Sequence, residues 1–255
     1  MLLGGACVLA SGCGSSNNPE RLFGEPVAQT GLTSDQCGPS CPSLGYVSRD
    51  FTADEIAALR QWTNTAPYAE LTADPYSQPV PSRQDGVCAI VVDGLAAKTY
   101  HPETFASPEA ARAAGAILTH WDACGLCSTL EDFALYAENR DLGAPVRQCG
   151  LDNFGQPFDS LVACLQGLGF TKPCAQIWGY NVLNTRAKCL NECIRPDYYH
   201  REDGSLSPCL ACDERESGPW FKAVAGRTRR NTGLATSICR PCSEVRPVAH
   251  DYPLN

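Results

Sequence analysis

The chain has 255 residues, with 20 basic against 28 acidic side chains for a net charge of −8, and it carries 16 cysteines. A net negative charge argues against a nucleic-acid partner, because the phosphate backbone would be repelled. No apolar run approaches the ~18 residues that a membrane-spanning helix needs. So many thiols argue against a reducing compartment, where they lose their main structural use.

Residues 1–13 read as the end of a secretory signal, a short apolar stretch with Ala10, Ser11 and Gly12 before a cysteine. Leu9-Ala-Ser-Gly-Cys13 resembles a bacterial lipobox, and the resemblance implies cleavage before Cys13 and lipidation of that cysteine. A plain, slightly apolar N-terminal tail is the competing reading. The run Gly14-Ser-Ser-Asn-Asn18 suits a polar tether, so 14–36 is expected to be flexible. Loss of Cys7 and lipidation of Cys13 would leave fourteen cysteines, an even number compatible with about seven disulfides.

Residues 37–255 are expected to form one disulfide-stapled, α-rich α+β domain. Its first helix is signalled by Thr52 and Glu55 as a capping box, with Phe51 stapled onto Ile56. Val87–Val92 is a continuous apolar run that reads as a buried strand, and 98–101 can return beside it. Ser107-Pro108 opens a helix and 116–119 can form a further strand. Another helix is expected from Ser128, with Glu131 completing its cap. Residues 158–194 read as a helical hairpin that breaks at Gly169, and Cys189 and Cys193 share one face at its end. Residues 195–255 read as a loop-rich, cystine-bearing part.

Three chemistries converge on Cys124-Gly-Leu-Cys127. The pair stands before a helix N-terminus, where unpaired N–H groups favour a thiolate. With Trp121 it resembles the thioredoxin-like redox motif, which implies attack by Cys124 and resolution by Cys127. The same residues also resemble the papain-like signature, which implies Cys127 as the nucleophile; His120 and His250 are candidate partners. Thirdly, His120, Cys124 and Cys127 offer ligand types suited to zinc or copper. Against all three stands simple disulfide bonding. The pairs Cys209/Cys212 and Cys239/Cys242 imitate a zinc ribbon, but outside the cell crossed disulfides between them fit better.

Lys222, Arg227, Arg229 and Arg230 form the one concentrated run of positive charge, joined by Asn231. Guanidinium groups on a cystine-pinned loop can hold a carboxylate, sulfate or phosphate; pairing with Asp213, Glu214 and Glu216 is the structural alternative. The preferred expectation is an exported, lipid-anchored binding module for a small anionic ligand or partner. A thiol-dependent enzyme comes second and a metal-binding protein third. No cofactor or metal is assigned, the membrane is reached only through the N-terminal lipid, and the oligomeric state is left open.

Overall fold

The computed structural model describes residues 20–82, 85–194 and 198–253, so the expected signal segment and Cys13 lie outside the described residues. The fold is α+β and α-rich. It opens with short strands: β1 (Leu22–Phe23) pairs in parallel with β2 (Cys37–Gly38), and β3 (Ser40–Cys41) pairs with β4 (Tyr46–Val47). This differs from the tether expected over 14–36. Phe23 and Thr30 are buried, and Thr30 is tied to the carbonyl of Ser237 at 3.1 Å. Apolar burial and long-range hydrogen bonds pin the part of that stretch from residue 20 onward.

α1 (Ala53–Leu59) begins at the expected capping box and buries Ile56 and Leu59. A four-stranded sheet follows, of order β5-β7-β6-β8: β5 (Thr63–Asn64), β6 (Val87–Gly94), β7 (Thr99–Phe105) and β8 (Ile117–Trp121). β6 runs antiparallel to both neighbours, as a hairpin strand does. α2 (Pro108–Ala113) joins β7 to β8, capped by Ser107 with proline in the first turn.

α3 (Leu130–Glu138) sits at the centre of the core, burying Leu130, Phe133, Ala134, Leu135 and Tyr136. Its cap is Thr129, not Ser128, and Asp132 takes the place expected for Glu131: the Thr129 hydroxyl accepts from the Asp132 N–H at 3.0 Å and donates to its carboxylate at 2.6 Å. Asp132 also accepts from the backbone and hydroxyl of Thr171 at 2.9 and 2.8 Å, which brings two helix starts together.

The helical half comprises α4 (Gly143–Asp152), α5 (Phe158–Gly167), α6 (Lys172–Cys193), α7 (Pro208–Glu216), α8 (Gly218–Ala225) and α9 (Arg229–Thr232). The expected hairpin is α5–α6, and Gly169 between them has φ +110°, a conformation that favours glycine. The C-terminal part is loop-rich and cystine-bearing as expected, with more of its described residues outside helices than inside them, and it carries the three short helices α7–α9. Their helical stripes are short and separated at Gly218 and Gly226, so burial comes from neighbours: α7 and α8 pack against α6, and α9 packs against β8.

All fourteen cysteines of the described residues are paired. Cys37–Cys239 and Cys41–Cys242 tie the N-terminal strands to the C-terminal segment. Cys88–Cys124 and Cys127–Cys174 fasten the segment before α3 to the sheet and to α6. Cys149–Cys164 joins α4 to α5, while Cys189–Cys212 and Cys193–Cys209 clamp α6 to α7. The expected crossing between 209/212 and 239/242 is therefore not formed; each cysteine pairs with a distant segment. Seven disulfides belong to an oxidising, extracytoplasmic environment.

Candidate functional site

The Cys124-Gly-Leu-Cys127 segment is scaffold. The dithiol, nucleophile and metal readings each need sulfurs that are free or paired within the motif, and here the two are consumed in separate bridges. The glycine has a packing role. Leu126 and Cys127 donate their N–H groups to the carbonyls of Val224 and Ala225 at 3.0 and 2.9 Å. A Cβ on Gly125 would lie 2.5 Å from Val224 O, and one on Gly226 (φ +71°) would lie 2.4 Å from Gly125 N. Two glycines thus let two backbones touch.

His120 is fully buried beneath this crossing. Its Nε2 lies 2.7 Å from the Ser128 hydroxyl and its Nδ1 2.8 Å from the carbonyl of Trp121. Because Ser128 Oγ accepts from the Gly125 N–H at 2.8 Å, the network assigns the hydroxyl proton to Nε2 and the Nδ1 proton to the carbonyl. Burial and the nearby Arg227 charge hold His120 well below the usual imidazole range, so it is neutral. Ser128 is also fully buried. The contact has the connectivity of a Ser–His pair without access for a substrate. His250 is likewise buried, pushed down to about 3, and bonded to the carbonyl of Thr232 at 2.8 Å.

The basic run divides by position. Arg227 points inward and is fully buried: Nε donates to Cys127 O at 2.9 Å, one terminal nitrogen donates to Thr119 Oγ1 at 2.7 Å, and the guanidinium stands 5.0 Å over the Phe133 ring. Asn231 is buried as well. Its carbonyl accepts from the Thr228 N–H at 2.7 Å while its amide donates to Trp121 O and Gly226 O at 2.7 and 2.8 Å. These two expected ligand contacts are corrected to internal struts, because one helical turn at α9 needs a cap and the crossing beneath needs donors.

Lys222, Arg229 and Arg230 instead face a cavity of about 430 Å³ between α4, α6, α7, α8 and α9, within the usual range for small-molecule sites. Arg229 donates to the carbonyls of Tyr136 and Asn139 at 3.2 and 2.9 Å and lies 5.0 Å over the Tyr136 ring. Both of these bonds go to carbonyls at the end of α3, and Asp141 supports the charge from further away. Burial pushes its guanidinium down to about 10, and Asp141 counters this.

The other cations share one acid. Glu214 accepts from Arg230 at 2.6 Å and from Lys222 at 3.2 Å, and it also pairs with Arg240. Burial alone would raise its carboxyl, but Arg240, Arg230 and Lys222 hold it at about 2. Arg230 reaches Glu244 at 2.8 Å as well. Asp213, raised by burial, is bonded to Thr185 and Asn181. Six basic and two acidic side chains line this cavity, in a chain where acids outnumber bases.

Arg147, Arg186 and Arg240 were not singled out by the sequence, nor was the aromatic wall of Tyr136, Trp178 and Phe221. One signal was available. Trp178, Val182, Arg186, Leu190 and Ile194 recur every fourth residue along α6, and all line the cavity. A second cavity, of about 480 Å³ beside the sheet, is opposite in character: Glu70 and Glu131 are its charged lining groups.

Residues 158–248 match a family of unknown function (DUF8771). The matched span runs from α5 through the 3₁₀ turn at 242–244, so it holds most of the cavity wall but not α4. No curated protein and no solved structure matches the chain.

Proposed function

We propose that this protein is an exported, non-enzymatic binding module for a small anionic ligand, held at the cavity beside α9 and anchored through a lipid on Cys13. The observation that carries the reading is the reversal of charge: an acidic chain gathers six basic side chains around one cavity and only two acids. Glu214 and Glu244 neutralise part of that charge, and Arg229 is left bonded to neutral carbonyls. A carboxylate, sulfate or phosphate group would complete it with charge-assisted hydrogen bonds, stronger here than at an open surface.

The anionic fluorophore 1-anilinonaphthalene-8-sulfonate tests this directly. The expected result is saturable binding at one site, weakened about tenfold or more in Arg229→Gln and weakened by salt. Equal binding by Arg229→Gln, confirmed folded by circular dichroism, would overturn the proposal. For the anchor, Cys13→Ser is expected to move the exported protein from the membrane fraction to the soluble one, and an unchanged distribution would remove the lipid from the account.

A further inference from the structure

We infer that the ligand of this cavity is an anionic amphiphile, a fatty carboxylate or its like, with its head at Arg229 and its chain running along α6 to the mouth. The inference rests on the anionic-ligand reading and adds the apolar body. Three observations carry it.

The first is continuity between the cation and an apolar wall. Arg229 stands over Tyr136; Trp178 Nε1 donates to the Tyr136 hydroxyl at 3.1 Å; and Phe221 meets Trp178 edge-on at 4.8 Å. A free phosphate would use the guanidinium and leave this aromatic wall in water. A small anion site needs no such wall.

The second is the smooth apolar floor next to it. α4 and α6 approach so closely at Gly150 that a Cβ there would lie 2.7 Å from Val182. Leu142 and Val146 continue that surface from α4.

The third is the mouth. Leu151, Phe154, Leu190 and Ile194 are 56, 66, 50 and 68 % exposed, and all four border this one cavity. Single exposed apolar residues are ordinary, but four gathered at one opening mark a binding surface. Arg186 lies 4.7 Å over the Phe154 ring, so the apolar collar is also cationic. Such a collar suits a ligand that reaches the site from an apolar phase and carries negative charge. The disulfides Cys189–Cys212 and Cys193–Cys209 fasten α7 against α6, so this side of the groove is preformed.

Isothermal titration calorimetry of the full disulfide-bonded protein with acetate, octanoate, dodecanoate, inorganic phosphate and dodecyltrimethylammonium, below their micelle concentrations, decides the matter. Each buried methylene should tighten binding about fourfold, so dodecanoate should bind on the order of a hundredfold more tightly than octanoate. Leu190→Ser, at an exposed position where folding is retained, should weaken dodecanoate about tenfold and leave a small anion unaffected. If acetate or phosphate binds as tightly as dodecanoate, the anionic-ligand reading stands and the amphiphile inference is overturned. If dodecyltrimethylammonium matches dodecanoate, or none of the five binds, both are overturned.

Discussion

Arg227 and Arg229 are two residues apart and end in opposite environments. Arg227 enters a closed polar knot beneath α3, where its three nitrogens donate to Thr119 on β8 and to the carbonyls of Cys127 and Ser128 just before α3. Arg229 enters the wall of an open cavity on the helical side. A basic run is therefore not one object. The knot fastens the sheet to the helical half, and its cation is spent in doing so. The cavity keeps a cation in partial reserve. The acids repeat the contrast: Asp132, sealed at two helix starts, is raised to about 6 chiefly by burial, while Glu214, among three cations, is held at about 2 against its burial.

The two regions should differ most in their response to loss of a disulfide. Replacing Cys127 and Cys174 together by alanine opens a bridge of 47-residue separation, for an expected loss of about 4 kcal/mol by chain entropy. Removing Cys193–Cys209, of 16-residue separation, should cost about 3 kcal/mol. Only this second loss should also weaken ligand binding, because only this bridge borders the cavity. Denaturant melts with parallel dye titrations separate the two effects.

Arg227→Met should destabilise by roughly 3 kcal/mol, since it strands buried acceptors. The folded fraction should bind the dye as wild type does. If Arg227→Met instead abolished binding in a stable protein, the division between knot and cavity would fail.

The two acids should give pH dependences of opposite sign. Asp132 binds its proton more tightly folded than unfolded, where its value is 3.8. Its contribution to stability is therefore full below about pH 4 and lost as pH rises through 6. Glu214 holds its proton less tightly folded, about 2 against 4.5. Its contribution is full above about pH 4.5 and lost as pH falls toward 2. Each is worth roughly 3 kcal/mol over its window. Difference curves of unfolding free energy against pH, wild type minus Asp132→Asn and wild type minus Glu214→Gln, should slope in opposite directions. Parallel slopes would show that the two sites share one environment.

The smallest stability effect is expected at Arg229→Gln, about 1 kcal/mol from the lost cap on α3. Its loss of dye affinity should be tenfold or greater. A large fall in stability with unchanged affinity would make Arg229 a strut like Arg227.

The sequence was most legible where one local pattern dictates one outcome. Thr52 with Glu55, Ser107 with Pro108, and the apolar run from Val87 each appear where their chemistry demands. The turn at Gly169 follows in the same way. Legibility failed where two local signals competed. The sequence pointed to Ser128 as the cap; Thr129 takes the role because the Ser128 hydroxyl is engaged by His120 and Gly125. The C-G-x-C spacing offered redox chemistry beside plain disulfide bonding; disulfides form, and the glycine serves the backbone crossing with Gly226, a partner 101 positions away.

The amino-acid sequence by itself determined the α-rich α+β class, the start of α1, the strand β6, the hairpin α5–α6 and the commitment to a disulfide-stapled scaffold. Each rests on side chains within a turn or two of one another, or on cysteine count. Tertiary structure alone decided which cysteines pair, which arginine is sealed and which faces a cavity, and that Arg147, Arg186 and Arg240 join the basic wall. Those outcomes depend on distances between segments separated by tens to hundreds of residues. Local propensity carries no information about them, and only the packed chain brings the groups within reach of one another.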